Sequence, residues 1–205
     1  LVHLMAEDPA VTQFNGSLLE HPSIKTATGE PRAYCVHNPD RYDLVEISLI
    51  DSIGLSDSGG YAVTENYTYT TEAIADYMNS LTDDGVLSIT VWNRLNPPRN
   101  VLRILSTVVE SLREQGVERP ENRLFVYDLF LSTATVLIKN SDFTAPEIAK
   151  LRDFADSRSF DIIYYPGIPR RDRDFTSMVA MYRRFLDVDA PGAEAVGLQA
   201  HLLQG

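Results

Sequence analysis

The stretch from Tyr42 to Trp92 constrains the fold more than any other, because an apolar run, a polar loop, a helical pattern and a second apolar run follow one another without interruption. Residues 42–51 read as a strand buried on both faces and ending in Asp51. Ser52 to Tyr69 supplies glycines, hydroxyls, acids and tyrosines. Ile74, Tyr77, Met78 and Leu81 then fall at i, i+3, i+4 and i+7, one face of an amphipathic helix, and Gly85 stands where a helix-terminating glycine would. Residues 86–92 form a second apolar strand. A strand, helix and strand in this order predict a βαβ unit, whose ligands bind outside the carboxyl ends of the strands. Chemistry is therefore expected between Ser48 and Tyr69 and after Trp92.

The flanking sequence extends the same α/β pattern. Leu1, Leu4 and Met5 have the spacing of a helix that stops near Pro9, and Val11 to Pro22 reads as loop with a turn at Asn15-Gly16. Ser23 to Thr28 is a candidate strand, and Ala33 to His37 a brief helix. Val101, Ile104, Leu105, Val108 and Leu112 mark a long helix ending at Gly116. Residues 123–127 and 134–139 are rich in β-branched and aromatic side chains, and their short link makes them an antiparallel pair. Thr144 with Glu147 has the spacing of a capping box, and Ile148, Leu151, Phe154 and Ala155 supply the stripe of the helix behind it. Residues 160–165 form a further extended segment, and Phe175 to Phe185 a last helix. Residues 1–186 are thus expected to form one domain, followed by a weakly ordered tail over 187–205.

Composition narrows the partners. A formal charge of -11 over 205 residues argues against nucleic acid, whose phosphates require a basic face, and permits a small cationic amine. The single cysteine, Cys35, excludes internal disulfides and reads as a small buried thiol. Neither a signal peptide nor an apolar run of membrane-spanning length is present in these residues, so a cytoplasmic setting is expected. The four histidines have no metal-ligand spacing, and no Gly-x-Ser-x-Gly elbow announces a hydrolase. The sequons at Asn15 and Asn66 read as chance.

Residues 42–45, the block Thr64-Glu65-Asn66-Tyr67-Thr68-Tyr69-Thr70-Thr71-Glu72-Ala73, Asp83 to Ser88, Ala134 to Lys139 and Phe160 to Gly167 occur in an order that resembles the spermidine synthase-like group of adenosylmethionine-fold transferases. The Glu-Asn-Tyr block is most similar to the bacterial branch in which such a domain is attached to a multi-span membrane protein. The resemblance implies a Rossmann-like, methyltransferase-type α/β sheet, mostly parallel with a carboxyl-terminal antiparallel strand pair. It also implies adenosylmethionine or its decarboxylated form as cofactor, and attachment to a membrane-spanning region outside this chain, at the cytoplasmic face. The glycine-rich cofactor turn and the ribose-binding acid of the family would precede Leu1, so the first strands are lacking here. An edge exposed in that way predicts self-association.

Site residues carry over one by one. Glu30 matches the acid that contacts the adenine amine, or is a solvated turn residue. Of two aspartates that mark aminopropyl transfer, the first is matched by Ser48 and the second by Asp51, which either binds a cation and takes a proton or caps a turn. Tyr61, Tyr67 and Tyr69, each an apolar ring with a polar tip, would wall the substrate pocket or else serve as packing, and Glu65 is a second acid near the same strand end for substrate contact. Two functions follow from the resemblance: a transferase moving an aminopropyl or methyl group to an amine, inactive as this fragment, or a non-catalytic regulatory or assembly module.

Overall fold

The structure, a computed structural model, describes residues 8–49, 67–93, 99–129 and 132–168. Contacts divide the chain into two compact units, Leu1–Asn38 and Pro39–Gly205. Among the described residues the first contains two short α-helices and a 3-10 turn at Leu18–Glu20. Asp8 caps α1 (Pro9–Phe14) through its carboxylate, with Pro9 at the first helical position, where a proline fits; the helix expected over Leu1 to Met5 lies outside the described residues. That helix occupies part of the expected loop and ends at Asn15-Gly16, where Gly16 has φ 67°. Residues 23–28 are irregular and not a strand, with the Ile24 N–H donating to the His21 carbonyl just before them. The second helix, α2 (Pro31–His37), is the brief helix expected near Ala33.

The second unit is an α/β structure built on a five-stranded mixed sheet, β1 (Tyr42–Ser48), β2 (Leu81–Trp92), β3 (Leu124–Leu129), β4 (Thr133–Lys139) and β5 (Asp161–Tyr164), in the order β1-β2-β4-β3-β5. Here the sheet departs from the mostly parallel arrangement expected. Among the described residues only β1 and β2 are parallel, and the other three adjacent pairs are antiparallel. The link between β3 and β4 is too short for a crossover, so they form a hairpin, and β4 inserts between β2 and β3. The short β5 then returns antiparallel beside β3.

The parallel pair is joined through α3 (Thr71–Asn79), capped by the Thr70 hydroxyl, which accepts from the Ala73 N–H at 3.2 Å. Ile74, Tyr77 and Met78 are buried as their spacing predicts. Leu81 is buried too, but as the first residue of β2 rather than the last of the helix. Gly85 also lies in the strand. The register advances from Tyr42 opposite Leu81 to Leu44 opposite Val86, an irregularity spanning residues 82–85. A Cβ on Gly85 would stand 2.7 Å from the Tyr42 carbonyl oxygen and 2.9 Å from the Leu81 Cβ, so the position requires glycine for close approach, not for helix termination.

The long helix α4 (Arg99–Glu114) buries Val101, Leu102, Ile104, Leu105, Val108 and Leu112, each removing roughly 1.5–3 kcal/mol of apolar side chain from water. It ends as expected at Gly116. That residue has φ 83°, its N–H reaches the Arg113 carbonyl, and the Val117 N–H reaches Leu112, a Schellman-type stop. The Ser111 hydroxyl donates to the Thr71 carbonyl at 2.8 Å, fixing α4 against the start of α3. Both helices pack on β2, and the face bearing Leu87, Ile89, Val126, Val136 and Ile138 is fully buried. On the opposite face Phe125, Tyr127, Phe143, Phe154, Phe160 and Tyr165 make a chain of ring contacts beneath α5 (Ala145–Ser157). The α5 stripe is only partly enclosed: Ala155 is buried, Ile148 and Leu151 are half-buried and Phe154 is 44% exposed.

β1 corrects a second expectation. It is an edge strand among the described residues, not a strand buried on both faces. Ile47 is its one buried residue and Leu44 is 56% exposed. The helix expected over 175–185 and the tail from 187 lie outside the described residues.

Candidate functional site

The register places one end of every strand at the same edge of the sheet. Ser48 closes β1, Trp92 closes β2 opposite Thr133 at the start of β4, Leu129 closes β3, and Asp161 opens β5 opposite Asp128. This is the carboxyl end of the parallel pair, where ligands of open α/β sheets bind.

Two buried polar side chains meet there. Asn93, just past β2, is 3% exposed and Asp128 on β3 is 4% exposed, and the Asn93 amide donates from Nδ2 to Asp128 Oδ2 at 3.1 Å. Burial, reinforced by the charge of Asp161 across the β3–β5 pair and opposed by the Asn93 hydrogen bond, pushes the Asp128 carboxyl up to about 6. An acid tuned to change protonation near neutrality is one of the features by which functional sites are recognised. On the other face of the same edge, Ser48, Thr90 and Thr135 lie in a row across three strands, with the two threonine hydroxyls 2.9 Å apart.

Of the residues singled out from sequence, Ser48 is exposed at the end of β1. The next residue, Leu49, has φ 50°, a left-handed conformation unusual for leucine, while its N–H donates to the Thr90 carbonyl. Asp51, Tyr61 and Glu65 lie outside the described residues. Tyr67 and Tyr69 sit in a 3-10 turn leading into α3; Tyr67 is 60% exposed and Tyr69 half-buried. Glu30 belongs to the other compact unit, where it caps α2, accepting from the Arg32 N–H at 3.1 Å and the Ala33 N–H at 2.6 Å. Both of its oxygens are thus engaged with backbone. Cys35 and His37 lie two apart on that helix, which sets them on different faces, and the His37 ring is 2.7 Å from the Ala33 carbonyl.

The sequence reading passed over Asn93 and Asp128. The signal was present: an acid inside the apolar run Leu124-Phe125-Val126-Tyr127-Asp128 is rare in a buried strand unless it has a partner.

The opposite end of the sheet is charged in another way. Lys139, 4% exposed, pairs with Glu147 at 2.8 Å and Asp84 at 3.3 Å. Burial pulls the ammonium down, but hydrogen bonds and charge from the two acids outweigh it and hold it above its ordinary value. The Lys139 hydrogen bond, followed by the backbone and hydroxyl of Thr144, lowers Glu147 to about 2. The expected capping box is therefore also a counter-ion for a buried lysine. An open hollow of about 420 Å³ at this end is bordered by Arg41, Asn79, Asp83 and Asn140.

Among the described residues no cluster of three or more His, Cys, Asp or Glu could hold a metal ion, and no helix is long and apolar enough to cross a membrane. No protein-family model matches the chain, and no curated protein matches it.

Proposed function

We propose that the chain carries the carboxyl-terminal part of a spermidine synthase-like transferase domain, with its small-molecule site at the end of the sheet that holds Ser48, Asn93 and Asp128. The observation that carries this reading is the parallel β1–α3–β2 unit followed by the antiparallel β3–β4 pair, the sequence of elements that the motif order implies for the latter part of such a domain. In that setting a sulfonium nucleoside, adenosylmethionine or its decarboxylated form, would present an electrophilic carbon to an amine. The protein's task would be to orient the pair and accept a proton. Asp51 and Glu65 would face the cationic amine, and Tyr67 and Tyr69 would wall the pocket.

A second reading is favoured by two observations. Serine stands exposed at the first acidic position of the family pair, and a hydroxyl is no general base at neutral pH; Glu30 is already committed to a helix cap. On that reading the fold persists as a regulatory or assembly module of a membrane-linked protein, and the open β1 edge with its exposed Leu44 is a surface for self-association.

Calorimetric titration with adenosylmethionine, decarboxylated adenosylmethionine and methylthioadenosine separates the two. It is to be run on this chain and on a version extended upstream where the gene encodes one. Nucleoside binding by the extended version supports the transferase reading. Silence from both rejects it and leaves the assembly module, which sedimentation then tests through the oligomeric state.

A further inference from the structure

The amide–carboxyl pair at the carboxyl end of the sheet is only half bonded. Asn93 Nδ2 donates to Asp128, but Asn93 Oδ1 is buried and has no hydrogen-bond partner among the described residues. Flipping the amide does not help, since it would aim an oxygen at a carboxylate and leave the nitrogen unsatisfied. The partners also come from strands that are not adjacent. β4 runs between β2 and β3, and the residue it places there is Ala134, fully buried, opposite Val91 on one side and Asp128 on the other. A methyl group is small enough for the amide and the carboxyl to meet over it.

An ionised carboxylate only accepts and can do nothing for Asn93 Oδ1, whereas a protonated one carries an O–H. A carboxylic acid and a primary amide can close a ring of two hydrogen bonds, N–H to carboxyl oxygen and O–H to amide oxygen. We propose that Asn93 and Asp128 form a proton-operated latch over Ala134. Protonated, it ties the carboxyl ends of β2 and β3 by two hydrogen bonds; deprotonated, it keeps one and leaves a buried anion facing Asp161.

The surroundings suit that role. Among the described residues, β5 turns Asp161 toward the carboxyl, β4 contributes Ala134 and β2 contributes Asn93. The side chains that α3 and α4 bury against the sheet are uncharged, and the polar groups among them are the Tyr77 and Ser111 hydroxyls. Burial and Asp161 both favour the proton, so the latch turns over near pH 6, within the physiological range. The inference stands apart from the transferase reading, since it concerns how firmly this end of the sheet is held and not what binds there.

The test is made on the intact chain by NMR, following the Asp128 carboxyl carbon through a pH titration. Alongside it, the opening of the Asn93 backbone N–H, which donates to the Ser132 carbonyl at 2.8 Å, is measured at pH 5 and 7.5 with intrinsic exchange divided out. The expected result is a midpoint near 6 and an opening equilibrium larger at the higher pH by up to about tenfold. In Asp128→Asn the new carboxamide can donate to Asn93 Oδ1 at any pH, so the difference disappears. A midpoint near 4, equal opening of the wild-type amide at both pH values, or a pH dependence that survives in a folded Asp128→Asn would each overturn the latch. The first two outcomes are read on the wild type and decide the matter even if the variant does not fold.

Discussion

The two ends of the sheet each bury a charged or chargeable group, and they treat it in opposite ways. At the amino end of β2, Lys139 is answered by Glu147 and Asp84, and the Thr144 backbone and hydroxyl complete the bonding of Glu147. At the carboxyl end, Asp128 is answered by one neutral amide and opposed by another acid. The first arrangement favours the charged forms and stabilises the fold. The second resists the charged form, which is a cost that a purely structural position would shed by substitution. Incomplete compensation, rather than charge itself, separates a site from a brace.

The comparison can be broken at its stronger end first. Glu147→Gln leaves Lys139 buried with only the exposed Asp84, and should destabilise the protein by about 2–3 kcal/mol at pH 7. That is below the range for a fully enclosed pair, because Glu147 is itself 39% exposed and partly screened. Because its folded carboxyl lies below the ordinary value, the contribution of Glu147 is fully present above pH 4.5 and disappears as the pH falls through about 2; denaturant melts across that window check both sign and size.

At the other end the sign reverses. Asp128→Asn should stabilise by about 1–2 kcal/mol at pH 7.5, since the folded carboxyl is raised by roughly two units at 1.36 kcal/mol each and part of that is returned on losing the charged hydrogen bond. Wild-type stability should accordingly fall as the pH rises from 4 through 6, and the variant should lack that slope. A destabilised Asp128→Asn at pH 7.5 would place the two ends in one class. The smallest effect is expected from Asp161→Asn. Asp161 is exposed, so stability should change by less than about 1 kcal/mol, yet the Asp128 midpoint should move toward its ordinary value in a carbon-detected titration.

Much of this architecture was legible because it is local. The α4 stripe with its Gly116 stop, the β3–β4 hairpin and the Thr144–Glu147 box each depend on residues within a few positions of one another. What escaped depended on neighbours distant in sequence. Gly85 looks like a helix stop until the Tyr42 carbonyl is seen beside it, and β1 looks doubly buried until β2 proves to be its one strand neighbour among the described residues. The Asn93–Asp128 pair required two further facts, that β4 inserts between their strands and that it carries alanine at the crossing. Glu30 shows the converse: a motif match named a ligand contact, while the proline after it had already marked a helix start. Asp51 and Glu65 fall in the stretch that the described residues leave out, so the sequence reading of them stands as proposal alone.

The insertion of β4 also dictates an order of events during folding. The β3–β4 hairpin closes over three intervening residues, whereas β1 must find β2 across 32 and β2 must find β4 across 40, so loop closure favours the hairpin first and both pairings of β2 after it. Truncating Val136 should therefore slow refolding nearly as much as it lowers stability, while truncating Ile47 should act almost wholly on the unfolding rate. A high transition-state value at Ile47 would reverse that order. If the order holds, the hairpin presents an open β4 edge until β2 arrives, and the interval in which this protein is most exposed to mispairing is set by the closing of that 40-residue connection.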